Sequence, residues 1–167
     1  MQLLSRDQLT TLLGYALNRM RHCDSEAFQN PVNKDQFGDY YETIFHPMDL
    51  STLETALKRK SFASTDAFLK EAEWILHNCI IYNGPSSKIT SDARLIAKIG
   101  KHEITEIELC PDCYLNSCER KDNWFAQPCT YPHCLQRRLE LERMEQWMLD
   151  SLDPMIDRGF HKIKYIC

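Results

Sequence analysis

Four separate runs of this 167-residue chain carry apolar residues at helical spacing, and one long aperiodic insert divides the first run from the rest. In the first run Leu9, Leu12, Leu13, Ala16, Leu17 and Met20 fall three or four residues apart, as one buried helix face requires. This spacing predicts a helix over roughly 3–21. A short helix over about 50–60 follows Pro47, with Asp49 or Ser51 as N-cap; Ser51 and Glu54 stand at capping-box positions. A third starts near Ser64, presents Phe68, Ala72, Ile75, Leu76, Cys79 and Tyr82, and stops at Gly84-Pro85. The fourth begins near Ser87 and carries Ile89, Ala93, Ile96, Ile99, Ile104 and Ile107 down one side to about Leu109. The insert, "CDSEAFQNPVNKDQFGDYYETIFHP", has no sustained period, yet Phe28, Val32, Phe37, Tyr40, Tyr41, Ile44 and Phe45 make it too apolar for disorder. An ordered loop packed on helices is expected there. Four helices and one long early loop describe an all-α bundle, and only five glycines argue against a turn-rich β architecture.

Charge narrows the partners. A formal net charge of −4 provides no global basic field to draw the chain onto nucleic acid. The opening "MQLLSRDQLTTLLGY" places Arg6 and Asp7 where a secretory signal needs an apolar core, so no export is expected. No apolar run approaches bilayer-spanning length. Under those conditions the eight cysteines should be thiols or metal ligands instead of disulfides.

The stretch "IIYNGPSSK", residues 81–89, places Asn83 at the open carboxyl end of the third helix. There an asparagine can satisfy loose carbonyls as a cap, or aim its amide at a ligand. Its companions favour the ligand. "NPVNKDQFGDYYETIFHPMDLSTL" and "AFLKEAEWILHNCIIYNGPSSKI" together resemble a bromodomain across about residues 5–109, through separated motifs in family order. The resemblance implies a left-handed four-helix bundle that binds acetylated lysine between its long first loop and the loop after helix three. It implies that Asn83 donates its amide to the acetyl carbonyl and that Tyr40 reaches that carbonyl through water. Val32, Tyr82 and Cys79 would form walls, Ile89 would gate the pocket, and Phe28 would belong to the apolar shelf. Where many members have Trp-Pro-Phe in that shelf, this chain has Glu26-Ala27-Phe28, which implies weaker or altered binding.

The chemistry is coherent on its own terms. A lysine cation is very costly to bury, whereas acetylation leaves a neutral stem with one carbonyl acceptor. An apolar cleft with one fixed amide donor would accept the modified side chain and reject the unmodified one. Removing that donor would cost about 1–3 kcal/mol, roughly tenfold to a hundredfold in affinity.

Five of the cysteines crowd residues 110–134. Cys110 and Cys113 form a Cys-x2-Cys knuckle, and Cys129 and His133 follow at Cys-x3-His spacing, a set suited to a closed, structural zinc site. Cys118 and Cys134 compete, and Cys134 could replace His133. Such a site can contribute on the order of 10 kcal/mol to ordering a segment with no core of its own. A bromodomain running into "CPDCYLNSC", "DNWF" and "PC" is similar to the PHD–bromodomain–PWWP chromatin readers that carry a MYND finger elsewhere. Those proteins place a small zinc finger at this junction, commonly with a further cysteine where this chain has Ala126. That family layout implies a PHD finger before and a PWWP domain after. The residues following His133 match no PWWP domain, so DNA and methyl-lysine binding are not carried over.

Two enzyme patterns fail. "HEITE" at 102–106 has Glu106 where a zincin needs its second histidine, and Leu109 precedes Cys110 where a zinc deaminase needs proline. The expectation is a non-catalytic nuclear reader of acetylated histone tails, associated with other chromatin or transcription proteins. The bromodomain would occupy 1–109, a zinc-binding segment 110–134, and a C-terminal helix and tail 135–167. The alternative is an interaction scaffold in which Leu141, Met144, Met148 and Leu152, with Trp147 beside them, bind a partner.

Overall fold

Ser5 opens the first helix with a reciprocal cap: its hydroxyl accepts from the Gln8 amide, and the Gln8 side chain accepts from the Ser5 amide. The helix, α1, spans Arg6–Arg21 and buries the six apolar residues of its predicted stripe. In this computed structural model the described residues are 4–23, 25–119, 132, 134–137, 139–140, 142–144 and 146–147. The chain divides into two compact units, Met1–Asp122 and Asn123–Cys167.

In the first unit, a 3-10 turn at Glu26–Phe28 and a short helix α2, Tyr40–Thr43, interrupt the loop. Three longer helices follow: α3 (Leu50–Lys58), α4 (Thr65–Asn83) and α5 (Lys88–Leu109). Each opens on a side-chain cap. Asp49 accepts from the Thr52 amide, Ser64 from Ala67 and Ser87 from Thr90. Asp49, and not Ser51, therefore caps α3. Glu54, the reciprocal partner expected of Ser51, pairs with Arg21 and Lys58 instead.

α4 lies along α5, and α1 packs on α5 and α3, which closes a core around Leu13, Met20, Leu50, Leu53, Phe68 and Ile96. Gly100 lets α5 approach α1 closely; a Cβ there would stand 3.2 Å from Met20 Sδ. The fold is all-α, as the periodicity predicted.

The loop is ordered by hydrogen bonds. Tyr41 Oη donates to the Val32 carbonyl at 2.6 Å, and the Ser51 amide donates to the Gln29 carbonyl at 3.1 Å. Asn78, buried on α4, donates to the His46 carbonyl at 2.7 Å and holds the loop's far end.

The sequence reading placed no helix directly after α5. Pro111–Glu119 forms a helix, α6, which packs on α5 and α1. Proline breaks a helix interior but suits the first helical position, where no amide donor is required. In the second unit the described positions between 132 and 147 are helical, with Leu139, Met144 and Trp147 exposed. Leu141, Met148 and Leu152 lie outside the described residues.

Candidate functional site

Asn83 is the last residue of α4, and its side chain is exposed. Its Nδ2 stands 3.6 Å from Cys79 Sγ one turn earlier, a long contact to a weak acceptor. The carbonyls that a capping asparagine would satisfy are served by other groups. Thr90, fully buried on α5, donates its hydroxyl to the Gly84 carbonyl at 2.7 Å and lies 3.4 Å from the Cys79 carbonyl. Ser87 Oγ sits 2.7 Å from Thr90 Oγ1, and the Gly84 amide donates to Ile80. Gly84 turns the chain at φ 84°, where a side chain would be strained. The asparagine amide is thus left over from helix termination.

Tyr40, on α2, brings the loop against this helix end. Its ring meets Tyr82 edge-on at 5.0 Å and Tyr41 at 5.3 Å, arrangements favoured by the aromatic quadrupole. Its side chain is buried, and burial is the main influence that raises its hydroxyl above the ordinary tyrosine range. Among the described residues its hydroxyl has no protein hydrogen-bond partner. Tyr82 Oη donates to Asp39 Oδ1 at 2.8 Å, and that bond leads the influences raising the Tyr82 phenol. Tyr40, Tyr82, Cys79 and Asn83 therefore stand together.

The remaining predicted residues are placed by other contacts. Val32 is half-buried, and its carbonyl is engaged by Tyr41. Ile89 is half-buried against the core near the start of α5. Phe28 is buried within the core cluster. Thr90 and Asp39 were not singled out from sequence. The role of Thr90 depends on the turn that folds it back onto the Gly84 carbonyl, and that of Asp39 on contact with Tyr82 of α4.

At the junction of α5 and α6, Cys110 is buried, and its Sγ accepts from the Cys113 amide at 3.4 Å. The two sulfurs lie within 4.8 Å of one another, and such a pair could hold a metal ion. Cys118 does not join this pair; it accepts from Arg19 Nη2 at 3.7 Å. Cys129 and His133 lie outside the described residues.

One further cluster fixes α6. Glu103, 3% exposed, accepts from Tyr114 Oη at 2.6 Å and pairs with Arg19 Nε at 3.3 Å. His102, by contrast, is exposed on α5, as expected of a solvated residue.

Comparison with known proteins bears on the fold. Residues 12–95, half of the chain, match the family model described as Bromodomain. A 134-residue stretch, 79% of the chain, is 34% identical to the MYND-type zinc finger-containing chromatin reader Zmynd8 of Drosophila melanogaster. A 98-residue stretch, 59% of the chain, is 38% identical to histone acetyltransferase GCN5 of Debaryomyces hansenii. A further 86 residues, 52% of the chain, are 35% identical to GCN5 of Yarrowia lipolytica. These matches cover 8%, 21% and 18% of the respective relatives. An all-α bundle and a family match over half its length make this chain a member of the bromodomain family.

Proposed function

We propose that this chain is a non-catalytic reader of acetyl-lysine on histone tails, acting in the nucleus with other chromatin proteins. The observation that carries the reading is the Asn83 amide. Asn83 ends α4 next to Tyr82, whose ring packs on Tyr40, while Thr90 and Ser87 satisfy the helix end. An acetyl carbonyl entering there would accept from Asn83 and lie within reach of Tyr40 through a water. Val32, Cys79, Tyr82 and Ile89 would line the stem, and Phe28 would back the shelf. The uncharged stem loses little solvation on entry, whereas a lysine ammonium would lose much.

We further propose that Cys110 and Cys113 hold a structural zinc ion together with Cys129 and His133, Cys134 being the competing thiol. The bromodomain is assigned to 1–109, the zinc-binding segment to 110–134, and a C-terminal helix and tail to 135–167. With four ligands the metal would have no open position for substrate, which fits a structural role.

The test is calorimetric titration of the chain with histone-tail peptides, acetylated and unacetylated. Binding is expected only to acetylated peptides, and Asn83→Ala is expected to weaken it at least tenfold. Equal affinity for both peptide forms, or undiminished binding by the variant, would overturn the reading.

A further inference from the structure

Asp39 immediately precedes Tyr40 at the start of α2, where an aspartate ordinarily serves as a helix cap. Its side chain makes no capping hydrogen bond. Instead Oδ1 accepts from the hydroxyl of Tyr82, the neighbour of Asn83, at 2.8 Å. This bond pins an exposed carboxylate across the two elements that carry Tyr40 and Asn83. The second oxygen, Oδ2, has no partner among the described residues. Lys34, a nearby cation of the same loop, lies over the Tyr41 ring at 4.8 Å and forms no ion pair with Asp39. Glu42, one turn on, is exposed and adds charge of the same sign.

Resting on the acetyl-lysine reading above, we infer that Asp39 is a specificity-determining residue: its outer oxygen takes a cationic side chain flanking the acetylated lysine. The acetyl group itself carries no charge, so the pocket alone cannot distinguish a basic peptide from a neutral one. A carboxylate held at the rim can. Because Tyr82 already restrains it, little side-chain entropy is lost when a lysine or arginine arrives. The contact is solvent-exposed, so its expected effect is about two- to fivefold in affinity, diminished by salt.

The experiment compares two acetyl-lysine peptides of equal length, one flanked by lysines and one by serines, titrated into the full chain and its Asp39→Asn variant. Asparagine keeps an acceptor for Tyr82, so the wall is retained. Wild type is expected to prefer the lysine-flanked peptide about two- to fivefold in 50 mM salt, and less in 300 mM. The variant is expected to bind both peptides alike, with its affinity for the serine-flanked one unchanged. A preference that survives in Asp39→Asn, or equal losses on both peptides, would overturn the assignment while leaving acetyl-lysine binding intact. If wild type binds neither peptide, the acetyl-lysine reading fails and this inference with it.

Discussion

Tyr114 Oη donates to Glu103 Oε2 across 2.6 Å, with both side chains buried, and joins α6 to the bundle. Arg19 Nε, 3.3 Å from the same oxygen, draws α1 into the network. Tyr114→Phe would leave a buried carboxylate with one partner fewer. Hydrogen bonds to charged groups are worth about 1.5–3 kcal/mol, and a loss of that size is expected in urea unfolding. A change below about 0.5 kcal/mol would show that water replaces the phenol without penalty.

Thr90 and Asn83 separate helix termination from recognition. Thr90→Val removes the hydroxyl that the buried end of α4 depends on, and should cost about 1–3 kcal/mol of stability. Asn83→Ala removes only an exposed amide with one long sulfur contact, and should cost less than about 0.5 kcal/mol. Thermal melts of both variants beside wild type decide this. If Asn83→Ala proves as damaging as Thr90→Val, the asparagine is a cap after all.

The helices were legible because their determinants are local. Apolar spacing with Ser64, Ser87 and the Gly84-Pro85 stop placed α4 and α5 within a residue or two of their observed bounds. Asp49 and Ser51 could both be read as the cap of α3, and only the observed bond from the Thr52 amide decides for Asp49. Helix α6 was missed because its short run of residues was read only for its cysteines, although Pro111 is well placed at a helix start. Glu103 left a usable trace: a carboxylate beside Ile104 on the stripe of Ile96 and Ile107 needs a buried partner. Which partner was not legible, since Tyr114 and Arg19 reach it from other helices. Asp39 was visible only as part of the Asp-Tyr-Tyr triplet within the family-like segment, because its bond to Tyr82 arises only when α2 meets α4.

Alkaline titration should expose the burial of Tyr40. Its phenol is held above the ordinary value of 10.0, chiefly by burial, so the folded chain retains that proton longer than the unfolded chain does. The resulting contribution is whole below about pH 10 and is lost as pH rises beyond it. Tyr82 and Tyr114 are raised too, so the informative quantity is the difference between wild type and Tyr40→Phe. As pH rises above about 10, wild-type stability should fall more steeply than that of the variant. Parallel slopes in denaturant unfolding would contradict the buried placement.

Lys60 adopts φ 54°, a left-handed backbone conformation at the end of α3 that glycine usually fills. Its amide donates to Leu57 and the Ser61 amide to Ala56, the paired bonds of a helix-terminating turn. Replacing it with glycine should remove about 1 kcal/mol of steric strain. Against this stands the exposed Lys60–Asp7 pair at 2.5 Å, a solvated contact of small net value. Lys60→Gly is therefore expected to stabilise the chain by a few tenths of a kcal/mol up to about 1 kcal/mol, read from the urea midpoint at unchanged slope. Lys60→Ala keeps the strain and loses the pair, so it should be less stable than wild type. The reverse order of the two variants would mean that the ion pair, and not backbone conformation, governs this corner.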